Sequence, residues 1–277
     1  MSNLVRSFVA LFSCCVMAQH AYAQDAIYGA TDTAKKAKKL VVNAPVRIAP
    51  KGPKPIKNEI SFGYRLLTNG WAAYMDLGSV KARNARQADM FYNVRFWQVE
   101  FTEKKAPRQE KTVADENASG NSGSYVYGKI NNFYGLKLGY GFRKMIAGKP
   151  DPGSVSIHWS NVLGGSLGMQ KPYYLNTRSD PNAIKYSDAT QAQFLSQQLI
   201  IGGAGFGKGL GEIKMIPGGH FKSMLHFDFS ANRKSVVGIE TGVNVEYYAS
   251  AVPIMVNQEA KPYFVDLFLA FQFGKRW

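Results

Sequence analysis

The chain has 277 residues, including 27 Gly, 17 Phe and 15 Tyr, and only 19% of its residues are charged. Beyond residue 23 it contains no cysteine and no long apolar run. Disulfides, cysteine-ligated metals and membrane-spanning helices are therefore excluded for that part of the chain. The formal net charge of +15 is large but is distributed unevenly along the sequence.

Residues 1–23 have the organisation of a removed secretory signal. Arg6 is followed by an apolar run from residue 7 to 18, and Ala21-Tyr22-Ala23 fits the small-x-small cleavage rule. The apolar run is shorter than the roughly 20 residues that a membrane-spanning helix needs. Both cysteines lie inside this segment, so the mature chain is predicted to have no thiol.

An alternative interpretation concerns the same segment. Leu11-Phe12-Ser13-Cys14 resembles a lipoprotein cleavage box, which would make Cys14 an acylated N-terminus. The bulky Phe12 and the apolar run that continues past Cys15 disfavour this alternative, and we prefer a cleaved signal segment.

Residues 24–57 are predicted to form a flexible periplasmic arm. Positions 34–57 contain eight Lys or Arg, four Pro and no acidic residue. Such a composition favours an extended, solvated segment rather than a packed unit. A basic arm on an exported protein is expected to contact peptidoglycan or anionic lipid, and nucleic acid is not expected as a partner.

From residue 58 onward, apolar and polar residues alternate with the period of a β-strand. In the last strand the odd positions from Tyr263 to Phe273 are large and apolar, whereas the even positions are small or polar apart from Phe264 and Phe268. A slip of phase occurs at 90–101, and a β-bulge near Phe96 would explain it. Eight such strands are predicted, at about 60–66, 71–78, 90–101, 134–143, 154–169, 220–229, 237–247 and 263–274.

The connections between these strands form a second pattern. Those after strands 2, 4 and 6 are short, whereas those after strands 3, 5 and 7 are long, at about 102–125, 170–218 and 249–260. The first hairpin, Thr68-Asn69-Gly70, is an additional tight turn. Barrels that span an outer membrane keep short turns on the periplasmic side and long loops outside. We therefore predict an all-β fold, a transmembrane antiparallel up-and-down β-barrel of eight strands with long external loops, over residues 58–277.

The signal segment, the eight strands and the closing residues from Phe271 to Trp277 resemble small Gram-negative outer-membrane β-barrels. Phe273-Gly-Lys-Arg-Trp277 and Tyr125-Val-Tyr-Gly-Lys-Ile-Asn131 are similar to segments of barrels common in the Bacteroidota. The resemblance implies location in the outer membrane among its lipids, with assembly by the outer-membrane insertion machinery through the C-terminal strand. It implies no particular activity.

Two groups of residues resemble sites of catalysis or phosphate binding. The stretch Gly202–Gly209 is close to a phosphate-binding loop, but Gly209 stands where the Mg²⁺-binding hydroxyl belongs, so a glycine turn in a long loop is preferred. A short helix is expected over 188–201. The histidines at 158, 220 and 226 share strand faces with serines and with Asp228, as a lipid hydrolase or acyltransferase would require. Lumen filling is the preferred role, so no catalytic, cofactor-binding or metal residue, and no cofactor, is predicted.

The predicted inward positions contain charges of both signs. These are Arg65, Arg95, Lys137, Arg143 and Lys222, with Asp76, Asp228, Glu240, Glu246 and Asp266. Because buried charges require partners, and because an eight-stranded barrel is just wide enough to be filled by side chains, mutual pairing and a plugged lumen are expected. The predicted function is structural, or an interaction through loops and arm, without enzymatic activity. Alternatives are a lipid hydrolase or acyltransferase, a narrow porin-like channel and an accessory of an outer-membrane secretion system.

Overall fold

The computed structural model describes most of the chain from residue 56 to the end. The described residues are 56–82, 92–107, 109–114, 123–148, 154–232 and 234–277. The predicted signal segment, 1–23, and all but the last two residues of the predicted arm, 24–57, lie outside them. Both predictions therefore remain predictions.

Within the described residues, eight long strands and five short ones make up the β-structure. The long strands are β1 (Asn58–Leu67), β2 (Gly70–Ala82), β3 (Tyr92–Lys104), β6 (Asn131–Ala147), β7 (Ser156–Pro172), β11 (Lys214–Asp228), β12 (Ser235–Val252) and β13 (Lys261–Arg276). The short strands are β4 (Lys111–Val113), β5 (Ser124–Val126), β8 (Tyr174–Thr177), β9 (Ile184–Lys185) and β10 (Ile200–Gly203).

The eight long strands form a closed antiparallel up-and-down barrel in the order β1-β13-β12-β11-β7-β6-β3-β2. Each strand pairs with its neighbours in the sequence of long strands, and the last strand closes the circle against the first. In that closing pair Phe62 lies opposite Phe273, and Tyr64 opposite Phe271. The predicted fold class and strand number are confirmed.

Alternation places large apolar groups outside and small or polar groups inside, as β13 illustrates. Leu267 and Phe273 are at least 60% exposed, whereas Asp266, Ala270 and Gln272 are at most 1% exposed. The inward Phe268 is 4% exposed and packs against other apolar side chains in the lumen. The predicted phase of the terminal strand is therefore correct.

The predicted bulge near Phe96 is wrong. The pairing of β3 with β2 and with β6 continues without interruption through this residue. Phe96 and Val94 point into the lumen and are at most 1% exposed, whereas Trp97 points outward and is 55% exposed. The apparent slip of phase arises because apolar residues fill the lumen at one level. A register shift does occur elsewhere, in β6 between Met145 and Ala147.

The two ends of the barrel differ in the length of their connections. The end that holds the long connections, 105–130, 173–213 and 253–260, is called the loop end; the other, where β1 begins and β13 ends, is called the terminal end. The turn at the loop end between β1 and β2 requires Gly70, whose φ is 143° and whose added Cβ would lie 2.0 Å from the Glu103 carbonyl oxygen. The predicted alternation of long and short connections is confirmed.

The longest loop contains little helix. The predicted helix over 188–201 consists of a four-residue helix α1 (Gln191–Phe194) and a 3-10 turn (Gln197–Leu199). The predicted glycine stretch is a turn: Gly205 and Gly209 have φ values of 80° and 79°. Among the described residues, no helix is long and apolar enough to cross a membrane.

Aromatic pairs lie on the outer surface towards both ends of the barrel. Tyr64 stacks on Trp71 with ring centroids 5.9 Å apart, and Phe101 stacks on Tyr134 at the same separation; both pairs lie towards the loop end. Towards the terminal end, Trp97 meets Tyr140 edge-on at 5.1 Å. Aromatic girdles that flank an apolar band are typical of barrels that cross a membrane.

Candidate functional site: the charged lumen and a basic cavity at the loop end

The lumen contains a network of buried charged side chains. Within the described part of the chain it comprises six basic and seven acidic residues, each at most 5% exposed. They are Arg65, Lys104, Lys137, Arg143, Lys222 and Arg276, with Glu59, Asp76, Glu100, Asp228, Glu240, Glu246 and Asp266. The strands position them because inward positions alternate with the outward apolar ones.

Glu100 on β3 is a carboxylate with three cationic partners among the described residues. Lys137 Nζ lies 2.9 Å and Lys222 Nζ 2.7 Å from its carboxylate oxygens, and the Arg65 guanidinium also donates to it. Lys137 extends the network, because its ammonium lies 2.6 Å from Glu246. Lys104 in turn bridges Glu246, at 2.7 Å, to Asp266. These contacts join β3 to strands on the opposite wall.

A second set of pairs lies nearer the terminal end. Arg143 Nη1 lies 2.7 Å from one oxygen of Glu59, and Arg276 Nε lies 2.7 Å from the other. Arg276 also contacts Asp228 at 2.8 Å. The short contacts of Asp76 are hydrogen bonds from neutral amides rather than ion pairs. Gln98 and Gln272 each donate to it at 2.8 Å. Charge and amide groups therefore occupy the lumen together.

Aromatic side chains complete this packing. The Arg65 guanidinium carbon lies 4.2 Å from the centroid of Tyr74 and 4.5 Å from that of Phe268. The guanidinium thus stacks on aromatic faces while its two terminal nitrogens donate to Glu100 and Glu240. The lumen thus holds its charges in fixed positions by direct contacts.

The structure confirms most of the predicted lumen residues and corrects one. Four of the five predicted cations and all five predicted anions are buried in the lumen. Arg95 was predicted to point inward, but it is exposed on the outer surface at the terminal end, next to Trp97 in a surface groove. The error follows from the phase of β3. Val94 and Phe96 point inward, so Arg95, which lies between them, points outward.

Four network members escaped the sequence analysis: Glu59, Glu100, Lys104 and Arg276. The signal for two of them is present in β3, where Gln98, Glu100, Thr102 and Lys104 alternate with the outward Trp97, Val99 and Phe101. Arg276 continues the inward phase of the even positions of β13, and Glu59 shares that of Arg65 on β1, but both lie at strand ends, outside the predicted strand bounds.

The three described histidines all point into the lumen. His226 Nδ1 lies 3.1 Å from Glu240 Oε1, and its ring is 5.7 Å from that of His158. His220 Nδ1 lies 3.0 Å from Ser166 Oγ. His226 and Asp228 share a face as predicted, but Asp228 contacts Arg276 and accepts a hydrogen bond from the backbone amide of Ser230. None of these side chains is more than 7% exposed. Among the described residues, no group of three or more His, Cys, Asp or Glu is arranged to hold a metal ion.

A second feature lies at the loop end, where loop residues fold against the outer surface of the barrel. They enclose a cavity of about 570 Å³, whose lining includes Lys105, Lys111, Lys129 and Lys171. Outward-facing side chains of the barrel, among them Glu103 and Tyr134, form its base. No local sequence pattern indicates this cavity, because its lysines are spread from residue 105 to residue 171.

Comparisons with known proteins gave structural likenesses alone. No family model and no curated protein sequence matches the chain. Neisserial surface protein A is similar at 8% identity, with 81% of this chain and 98% of that chain covered and a TM-score of 0.37. The attachment invasion locus protein Ail of Yersinia pestis is similar at 11% identity, with 81% and 100% covered and a TM-score of 0.36. The outer membrane enzyme PagL is similar at 10% identity, with 77% and 97% covered and a TM-score of 0.31. The fold of this chain follows from its own strand pairing rather than from these likenesses.

Proposed function

We propose that the chain is an integral outer-membrane β-barrel whose lumen is closed by paired side chains and which acts without catalysis, through interactions of its loops. The observation that carries this proposal is the inversion of polarity across the barrel wall. Side chains such as Leu138 and Leu163 are 54% and 67% exposed, whereas Lys137 and Lys222 are at most 1% exposed. In water such an arrangement would leave a continuous apolar surface uncovered. In a membrane, the apolar outer face contacts lipid and the polar side chains are kept inside the barrel.

Two observations support a closed lumen. An eight-stranded barrel has an interior that side chains can fill, and here the ion-paired network spans that interior. At the loop end a cluster of buried apolar residues adds a cover, in which the ring of Phe133 lies 5.0 Å from Tyr248 and 5.5 Å from Phe264. A porin-like channel would instead need a continuous path of water.

The absence of catalysis is supported by the position of the serines and histidines. Ser166 and His220 form a hydrogen-bonded pair that resembles a nucleophile and its base, but both are buried among lumen side chains. The carbonyl of a membrane lipid lies outside the barrel wall and has no access to that hydroxyl. The Nδ1 atom of His226 contacts Glu240, and Glu240 also contacts Arg65, so this ring nitrogen is not oriented towards a serine.

The partners follow from the same proposal. Outer-membrane lipids surround the apolar band, and the insertion machinery receives the C-terminal strand. For the basic arm, 24–57, the proposed partner is peptidoglycan or anionic lipid, because its sequence carries an excess of Lys and Arg. The kinship with barrels of the Bacteroidota belongs to this proposal too, and it is supported only by the residues Tyr125–Asn131 and Phe273–Trp277.

Single cysteines test the location and the orientation together. The mature chain has no cysteine of its own if the signal segment is removed, so Leu210→Cys in the longest loop and Ala231→Cys at the terminal end each provide one label site. Both positions are exposed. A membrane-impermeant maleimide applied to intact cells should label Leu210→Cys, and should label Ala231→Cys only after the cells are broken. Labelling of Ala231→Cys alone in intact cells would overturn the orientation, and recovery of the protein outside the outer-membrane fraction would overturn the proposal.

A further inference from the structure

The cavity at the loop end is strongly basic. Four lysines line it, and the acidic side chain among its described lining residues is Glu103. That carboxylate is already engaged, because Trp71 Nε1 donates to it at 2.6 Å. The cavity therefore presents an excess of positive charge to whatever enters it. Its volume of about 570 Å³ is that of a small-molecule site.

Lys129 is a largely buried cation of this cavity. It is only 4% exposed, yet among the described residues its side chain makes neither a hydrogen bond nor an ion pair, and its ammonium lies 5.7 Å from the ring of Tyr173. Its backbone is held in place by a bridge to Met255. A partly desolvated ammonium without a directly bound counter-ion is disfavoured. Entry of an anion would remove that cost.

The electrostatics of Lys129 agree with this geometry. Burial lowers its pKa from the ordinary 10.5 to about 8; Glu103 opposes the change, and Lys105 and Lys111 reinforce it. The amine is thus mostly protonated at neutral pH and loses its charge just above it. Lys171, which also lines the cavity, donates to the backbone carbonyl of Phe206 and retains further protons for another acceptor.

The position of the cavity, next to the apolar band on the outer surface, favours a membrane lipid over a soluble molecule as its ligand. Tyr134 lines the cavity and stacks on Phe101, and its ring also meets Phe206 edge-on at 6.2 Å. One step further towards the middle of the same strand lies Leu136, which is 46% exposed on the outer surface. Aromatic girdles of membrane proteins lie at the level of the lipid headgroups. The cavity opens beside that girdle, on the outside of the barrel.

We propose that this cavity binds the phosphate group of a lipid headgroup in the external leaflet, with Lys129, Lys171, Lys105 and Lys111 as its cationic contacts. Lysine binds phosphate as a point charge, and several lysines around one cavity suit a group with more than one negative charge. The tyrosine and phenylalanine walls provide apolar contact for the remainder of the headgroup. This inference rests on the proposed function, because the orientation of the barrel decides which leaflet supplies the lipid.

Native mass spectrometry of the full mature protein in detergent tests the site. The probes are bisphosphorylated lipid A, its dephosphorylated form and glucose 1-phosphate, which carries the phosphate without the lipid. The wild type should retain lipid A at least tenfold more strongly than either of the other two probes. Lys129→Met should lose most of that preference. Lys208→Met, which changes an exposed loop lysine outside the cavity, should behave like the wild type.

Three results would overturn the inference. Equal retention of lipid A and its dephosphorylated form would show that acyl chains alone are bound. Binding of glucose 1-phosphate as strong as that of lipid A would assign the site to a soluble phosphate. Unchanged retention by Lys129→Met, in a preparation that remains folded by its gel mobility before heating, would show that the phosphate binds elsewhere.

A pH series adds a readout specific to Lys129. Retention of lipid A should fall several-fold between pH 7 and pH 9.5 in the wild type, because Lys129 discharges over that range. The charged groups that face it are Glu103, Lys105 and Lys111, and burial raises the pKa of the adjacent Tyr173. Lys129→Met should show a flatter profile, and a profile as steep as that of the wild type would contradict the assignment. The two proposals can be told apart. If Leu210→Cys is labelled on intact cells but lipid A is not retained, the lipid site is wrong and the proposed function still stands.

Discussion

The ammonium of Lys222 on β11 lies 2.7 Å from the carboxylate of Glu100 on β3, although two strands, β7 and β6, separate these strands in the barrel wall. The pair therefore spans the lumen rather than running along its surface. Arg65 on β1 reaches Glu100 past one intervening strand, β2, whereas Lys137 pairs with it from the neighbouring strand β6. The contact with Lys222 ties opposite walls together, so the charged network is expected to stabilise the barrel as well as to fill it.

The first prediction concerns Glu100. Glu100→Ala leaves three buried cations without one of their carboxylates, and removal of one partner of a buried pair typically costs about 3–5 kcal/mol. The free energy of unfolding should fall by roughly that amount in urea titrations of the protein in lipid vesicles. Glu212→Ala is the matched control, because its pair with Lys185 lies in an exposed loop. A loss in Glu100→Ala no larger than in the control would show that the network contributes little to stability.

The second prediction concerns the outer surface. Leu138 is 54% exposed in the middle of β6, so Leu138→Arg would place a cation against hydrocarbon. The expected cost is ~2–4 kcal/mol near the bilayer midplane. Leu138→Phe keeps the position apolar and should change the stability little. Urea titration in vesicles measures both variants, and equal stability of the two would mean that this surface does not face lipid.

The third prediction concerns closure of the barrel. Deletion of residues 273–277 removes the pairing of Phe273 with Phe62 and the contacts of Arg276 with Glu59 and Asp228. The truncated chain should be missing from the outer-membrane fraction and should lose the difference in gel mobility between heated and unheated samples. Trp277→Ala keeps the paired strand and should insert normally. Normal membrane levels of the truncated chain would count against assembly through the C-terminal strand.

The fourth prediction concerns pH. Burial lowers the pKa of Lys129 to about 8, so the folded protein releases this proton before the unfolded chain does. Between about pH 8 and 10.5 the unfolded chain binds more protons, and the contribution of Lys129 to stability therefore increases with pH. An NMR titration of ¹³C-labelled lysine side chains should show one midpoint near 8 that disappears in Lys129→Met. A Lys129 midpoint near 10.5 would contradict the described burial.

The fold was largely predictable because alternation along a barrel strand directly encodes which side faces out. Regular strands such as β13 show this pattern in nearly every position. The prediction failed in β3, where Phe96 and Val94 are apolar yet point inward. Alternation separates polar from apolar side chains, and it cannot distinguish an apolar residue that faces lipid from one that packs in the lumen. Arg95 was misplaced for this reason.

The site was less predictable than the fold. Pairing of lumen charges could be expected from their mixed signs, but the partners of Glu100 come from three strands whose register the sequence does not show. The loop-end cavity was still harder to predict from the sequence. Lys111, Lys129 and Lys171 line one cavity only when two loops fold onto the barrel wall. Local patterns carry no information about such contacts.

The most direct test of the closed barrel is the conductance of the wild-type protein in a planar lipid bilayer. Steady recording at applied voltage, with insertion verified by the shift in gel mobility, should show a closed baseline. Glu100→Ala should remain closed as well, because Glu246 and the surrounding aromatic side chains still fill the lumen. A wild type that conducts ions in steady, reproducible steps would contradict the closed lumen and favour a channel.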